Sequence, residues 1–124
     1  MNEFVISMPL IKDLSVNHYR GRSRYGGEYV KKPIKEWKET LGWLIKECEL
    51  KGDTRIVEWK LPIKVKVDIV QTDNKTRDAH NYLKVPCDAI EDYSGINDTN
   101  YETEAGVPTH GEYAELILTI KEAE

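Results

Sequence analysis

Three observations predict a domain of mixed helix and strand in the order β-α-β-α-β-β. Apolar residues recur at helical spacing through residues 34–48, alternate with mostly charged ones through residues 57–70, and alternate again through residues 113–121. The chain has 124 residues and no repeat, linker or low-complexity tract, so residues 1–124 are read as a single domain with one core.

The elements follow in order. Residues 3–8, EFVISM, are apolar and β-branched enough for a strand, which Pro9 closes. Residues 15–29, SVNHYRGRSRYGGEY, read as a Gly-rich loop, mobile and cationic, with Arg20, Arg22 and Arg24 interleaved with Tyr19 and Tyr25. Pro33 suits the first turn of a helix whose apolar face is Ile34, Trp37, Leu41, Leu44, Ile45 and Cys48, running through Leu50 and ending at Gly52. From Val57 to Val70 the residues Val57, Trp59, Leu61, Ile63, Val65, Val67 and Ile69 show the period of a half-buried strand, and Pro62 is expected to mark a break, an edge or a bulge. Polar residues 71–77 form a loop. A second helix is expected from about Ala79 to Tyr93 with Leu83, Cys87 and Ile90 inside, kinked or restarted near residue 85 because Pro86 cannot donate a backbone hydrogen bond. A short strand around Thr99–Thr103, a turn over Gly106–Gly111 and a last strand Tyr113–Lys121 complete the chain.

Composition narrows the function classes. A hydrophobic content of 40% with 32% charged residues is that of a globular protein, and no apolar run approaches a membrane span, so no membrane partner is expected. The N-terminus lacks a secretory pattern and the two cysteines, Cys48 and Cys87, have no C-x-x-C spacing; free thiols in a reducing cytoplasm are expected. The net charge of -4 hides a division: residues 1–66 hold 14 Lys and Arg against 9 Asp and Glu, and residues 67–124 hold 4 against 13. Such a split suits a protein that meets phosphates with one surface and gathers cations with another, although scattered surface charge produces it too.

The stretch TRDAHNYLKVPCDAIEDYSGINDTN, residues 76–100, carries the candidate chemistry. Taken singly, Asp78 reads as a helix N-cap, His80 as a polar surface residue, Asp98 as a turn residue, and Lys84 with Asp88 as a surface ion pair worth about 0.3–0.5 kcal/mol. Taken together they allow another reading. If the loops bearing Asp78 and Asp98 lie side by side, the carboxylates repel unless a hard divalent cation sits between them. A cation held so, with water and a phosphate in its open positions, suits phosphodiester hydrolysis, and Lys84 is placed to stabilise charge on the phosphoryl group or leaving oxygen.

These residues resemble the RusA family of Holliday-junction resolvases, endonucleases of bacteria and their phages, and the resemblance covers nearly the whole chain. The family's central motif, approximately D-x-D-N-L-x-K-x-x-x-D-A-L, is answered by DAHNYLKVPCDAI, where Asp78, Asn81, Lys84, Asp88 and Ala89 match without a gap and Leu83 lies one place from the family's leucine. A glycine followed by an acidic pair corresponds to Gly95, Ile96, Asn97 and Asp98, and SVNHYR resembles the family's early S-x-N-x-Y-R.

The resemblance implies a small α+β domain, a mixed sheet with helices packed on it. It implies a cytoplasmic, bacterial or phage-encoded homodimer that cuts four-way DNA junctions with Mg²⁺ in recombination and repair. It assigns metal ligation to Asp78, His80 and Asp98, catalysis to Asp78, Asp98 and Lys84, and a supporting role to Asn81. Phosphate contacts are expected from Arg20, Arg22, Arg24, Lys31, Lys32, Lys75 and Arg77. Two departures matter: His80 stands where the motif has its second aspartate, and Asn97 where the later pair has its first acid. An imidazole is neutral when it binds a metal and softer than a carboxylate, so Mn²⁺ is expected to serve better than Mg²⁺. The alternative is a catalytically weakened junction-binding dimer of the same fold.

Overall fold

The computed structural model describes residues 2–22 and 27–124. In chain order these form β1 (Glu3–Pro9), a short ribbon of β2 (Arg20–Arg22) and β3 (Glu28–Val30), α1 (Lys32–Gly52), β4 (Ile63–Gln71), α2 (Lys84–Ser94), β5 (Tyr101–Ala105), β6 (Thr109–His110) and β7 (Glu115–Lys121). Outside the ribbon the strands make one mixed sheet in the order β1-β7-β4-β5, with β6 continuing beside the end of β4. β7 runs antiparallel to β1 and β4, whereas β5 and β6 run parallel to β4. The fold is therefore α+β with a mixed sheet and two helices on it, as the sequence predicts.

Alternation decides which face the helices cover. Phe4, Ile6 and Met8 of β1, Ile63, Val65, Val67 and Ile69 of β4, and Leu116, Leu118 and Ile120 of β7 are buried on one face. Against them pack Ile34, Trp37, Leu41 and Ile45 of α1 and Val85, Cys87, Ala89 and Ile90 of α2. The indole of Trp37 donates to the Pro9 carbonyl at 2.9 Å and ties the end of β1 to α1. The opposite face of the sheet carries Glu3, Val5 and Ser7 in the open, and Val5 is 62% exposed.

Several sequence expectations are corrected. The segment 15–29, expected as a loop, pairs Arg20 with Val30 and Arg22 with Glu28 as an antiparallel ribbon, and Tyr19 before it is buried in the core. The strand expected from Val57 starts only at Ile63: Ile56–Glu58 is a 3₁₀ turn that buries Ile56 while Val57 and Leu61 are 48% and 47% exposed. The proline at 62 brings no N-H to a ladder, and the apolar residues before it belong to a turn that points Ile56 and Trp59 inward. The restart expected near residue 85, by contrast, is present: the stretch Ala79–Tyr93 divides into a 3₁₀ turn, Ala79–Tyr82, and α2, so Pro86 falls in the first turn, where a missing N-H costs no helical bond. Helix α1 ends not on a left-handed glycine but on Asp53, at φ 48°.

Candidate functional site

The site is built where the chain leaves β4. Gln71, buried at the end of that strand, donates from its amide to the carbonyls of Asp73 and Lys75 at 3.1 and 2.8 Å. Arg77 then turns back on the loop: its guanidinium makes two bonds to the Asp73 carboxylate, at 2.6 and 3.0 Å, and a third to the Gln71 amide oxygen at 3.1 Å. Expected from the sequence to meet DNA, Arg77 is a brace that shapes the loop leading to Asp78. Its hydrogen bonds hold the Asp73 carboxyl down at about 2, against an ordinary value near 3.8. Because the folded value is the lower one, this pairing stabilises the fold fully above about pH 4 and is lost as pH falls through about 2. In urea titrations an Arg77→Met variant should therefore lose less stability than wild type between those two pH values.

Asp78 stands at the N-cap of the turn Ala79–Tyr82, accepting from the His80 N-H at 3.0 Å, so the plain capping role read from the sequence is present. The same carboxylate oxygen lies 3.0 Å from His80 Nδ1, and both side chains are exposed. The Asp78 carboxyl is pulled below the ordinary carboxylate range, first by the backbone N-H of His80 and then by its ring. With a proton on Nδ1 the ring donates to Asp78 and keeps its Nε2 lone pair free, the orientation that carboxylate-paired imidazole ligands adopt. One residue on, the Asn81 carbonyl accepts from the N-H of Val16 at 2.8 Å, tying residues 15–20 to the turn. Inside that segment Ser15 is buried and its carbonyl accepts from the N-H groups of His18 and Tyr19.

Asp98 reaches the site by a different route. Helix α2 ends at Gly95, whose φ of 75° is the left-handed conformation that turns the chain back along the helix. The Tyr101 hydroxyl donates to the Ile96 carbonyl at 2.8 Å, the Asn97 side chain accepts from the N-H of Thr99 at 2.9 Å, and the Asp98 N-H points to Glu91 Oε1 at 3.4 Å. Asn97, a departure from the resembled motif, thus serves as a cap. The Asp98 carboxylate contributes to the fields at Lys84, Cys87 and Tyr101. Lys84 opens α2 and pairs with Asp88 at 3.0 Å. That hydrogen bond is the main cause of its raised pKa, with smaller contributions from Tyr19 and Asp98, so the amine stays cationic at neutral pH and acts as a charge, not as a base. Burial pushes the Cys87 thiol up to about 12, which makes it inert.

The structure thus brings Asp78 to His80, and Lys84 to the neighbourhood of Asp98 and Tyr19. Among the described residues no three His, Cys, Asp and Glu side chains form a group tight enough to hold an ion. In kind, the donors fit a divalent cation: two carboxylates and an imidazole, each at least partly exposed. Of the expected phosphate contacts, Arg20 lies 3.5 Å from Glu28, Lys31 is paired with Asp13 at 3.2 Å, Lys32 is exposed 3.9 Å from Glu36, and Lys75 is exposed. Arg24 and the side chain of Arg22 lie outside the described residues. Sequence reasoning did not anticipate that Tyr19 contributes to the field at Lys84 or that His18 faces the Gln71–Arg77 loop across a depression. Tyr19 stands in the S-x-N-x-Y-R stretch, but its burial depends on contacts between distant segments, among them the Val16–Asn81 bond that ties residues 15–20 to the turn.

No family model and no curated protein sequence matches the chain. Among the described residues no helix is long and apolar enough to cross a membrane.

Proposed function

We propose that this chain is a metal-dependent, structure-selective endonuclease that resolves four-way DNA junctions, in the manner of the RusA family it resembles. The observation that carries this reading is the meeting of three segments far apart in sequence. Residues 15–20 are tied to the turn of Asp78 and His80 by the Val16–Asn81 bond, and Lys84 lies within the electrostatic reach of both Tyr19 and Asp98. A structural N-cap and a surface ion pair need no such assembly.

Asp78, His80 and Asp98 would hold Mg²⁺ or Mn²⁺, which when bound polarises a phosphate and lowers the pKa of a water. Asp78 orients the imidazole, Asp88 keeps Lys84 in its charged form, and Lys84 stabilises charge on the phosphoryl group or leaving oxygen. A homodimer would present one such site to each of the two symmetry-related strands of a junction. Labelled four-way junction, duplex and single strand incubated with Mg²⁺ or Mn²⁺ test the proposal. Selective cutting of the junction is expected. Binding without cutting under either metal would favour the second reading, a junction-binding dimer of the same fold. Absence of both binding and cutting would overturn the two together.

Phosphate contact is assigned to the ribbon and its surroundings. The triple variant Arg20→Ala, Arg22→Ala, Arg24→Ala should bind junction DNA less tightly and with a flatter dependence on salt, the slope falling by about 0.9 for each phosphate that is no longer neutralised. A filter-binding series over salt concentration reads both effects, and an unchanged slope would move the DNA surface elsewhere.

A further inference from the structure

We propose that the open face of the sheet pairs with the same face of a second copy, about a two-fold axis lying in the interface perpendicular to the strands. The strand register sets out four rows of side chains on that face. Glu3, Lys121, Lys64 and Glu102 form the first row and Val5, Thr119, Lys66 and Glu104 the second. Ser7, Ile117 and Asp68 form the third and Pro9, Glu115, Val70 and Thr109 the fourth. Positive charge is thus concentrated in the inner strands at one end, and negative charge in the same strands at the other. Helices α1 and α2 pack on the other side, and on this face only the glycine turns intrude, Gly106 beside Asp68 and Gly111 beside Val70, among the described residues.

The pattern distinguishes the two ways of stacking such faces. With the axis parallel to the strands, Glu3 falls over Glu102 of the other copy and Lys121 over its Lys64, like charge on like. With the axis perpendicular to the strands, between the second and third rows, the first row falls over the fourth and the second over the third. Lys121 then meets Glu115, Lys66 meets Asp68, Lys64 lies over Val70, and Thr119 lies over Ile117, each with the other copy and each twice. No like charges meet. Rows on one face are about 7 Å apart and packed sheets about 10 Å apart, so lysine and glutamate side chains span the offset that a twist of about 30° introduces. The Ser7 hydroxyl donates to Glu115 at 2.9 Å and holds that carboxylate at the face, whereas Lys66 is only 3.9 Å from both Asp68 and Glu104 in its own chain. Lys66 is therefore free to exchange a loose internal pair for one across the interface. Val5 and Ile117 supply apolar surface between the charges.

This inference deepens the dimeric part of the proposed function and does not depend on nuclease activity. Sedimentation of wild type, Glu115→Lys and Lys121→Glu at micromolar concentration tests it. Each single variant places two like-charge contacts across the axis and should self-associate on the order of 100-fold more weakly than wild type. Mixed in equal amounts the two single variants should form a heterodimer, because each lysine then faces a glutamate, and the double variant in one chain should regain the wild-type dimer. A dimer unaffected by either single change, or no recovery on mixing, would overturn the pairing while leaving dimerisation itself standing. A monomeric wild type, with and without junction DNA, would overturn the pairing and the dimer together. If circular dichroism shows that either variant fails to fold, Lys66→Glu, which touches no core residue, takes its place: a monomer is expected, and an undisturbed dimer would overturn the pairing.

Discussion

Asp78→Asn and Asp98→Asn are each expected to reduce junction cleavage by on the order of 1,000-fold while leaving junction binding intact, since a metal Lewis acid contributes several kcal/mol to such a transition state. The fold should not suffer in either case. An asparagine at 78 still accepts the His80 N-H as an N-cap, and at Asp98 it is the backbone N-H, not the carboxylate, that meets Glu91. His80 refines the experiment. As a ligand, its imidazole must be neutral, so protons compete with the metal and cleavage should decline below neutral pH more steeply in wild type than in His80→Asp. The aspartate variant should also work better with Mg²⁺, having regained a hard oxygen donor. If His80→Ala keeps the metal preference and pH profile of wild type, His80 is no ligand. If wild type never cuts and His80→Asp does, binding is this protein's function.

Ile56→Ala is expected to cost about 2–5 kcal/mol of stability, as for a fully buried aliphatic side chain, and Val57→Ala less than about 0.5 kcal/mol. Ile56 is completely buried and Val57 is 48% exposed, the reverse of what alternation from Val57 onward predicts. Urea unfolding decides between them: the midpoint should fall sharply for Ile56→Ala and stay near wild type for Val57→Ala, with slopes unchanged. Equal losses would restore the longer strand.

Long periodic stretches were legible in the sequence for a plain physical reason: one face must be buried, and burial forces a period on the apolar residues. Helix α1, the inner residues of β4 from Ile63 and the alternation of Leu116, Leu118 and Ile120 all follow from that pattern, as does the break near Pro86. So too do the local roles of Asp78 as a cap and of Lys84 with Asp88 as an ion pair, since both depend on neighbours within four residues. The α+β class and the order of the longer elements, β1, α1, β4, α2, β5 and β7, rest on the same short-range rules.

Contacts between distant segments obey no such period, and only the tertiary structure decided them. The ribbon of β2 and β3 depends on cross-strand bonds that a Gly-rich composition does not announce, and Tyr19 is buried because Asn81 anchors the segment before it. Arg77 looks like any loop cation until Asp73 and Gln71 surround it. Asp98 is set by the reversal at Gly95 and the Tyr101 hydroxyl, which bring it within the electrostatic reach of Lys84. The order β1-β7-β4-β5 places the last strand between the first and the fourth, and it is this pairing, invisible along the chain, that arranges lysines at one end of the open face and carboxylates at the other.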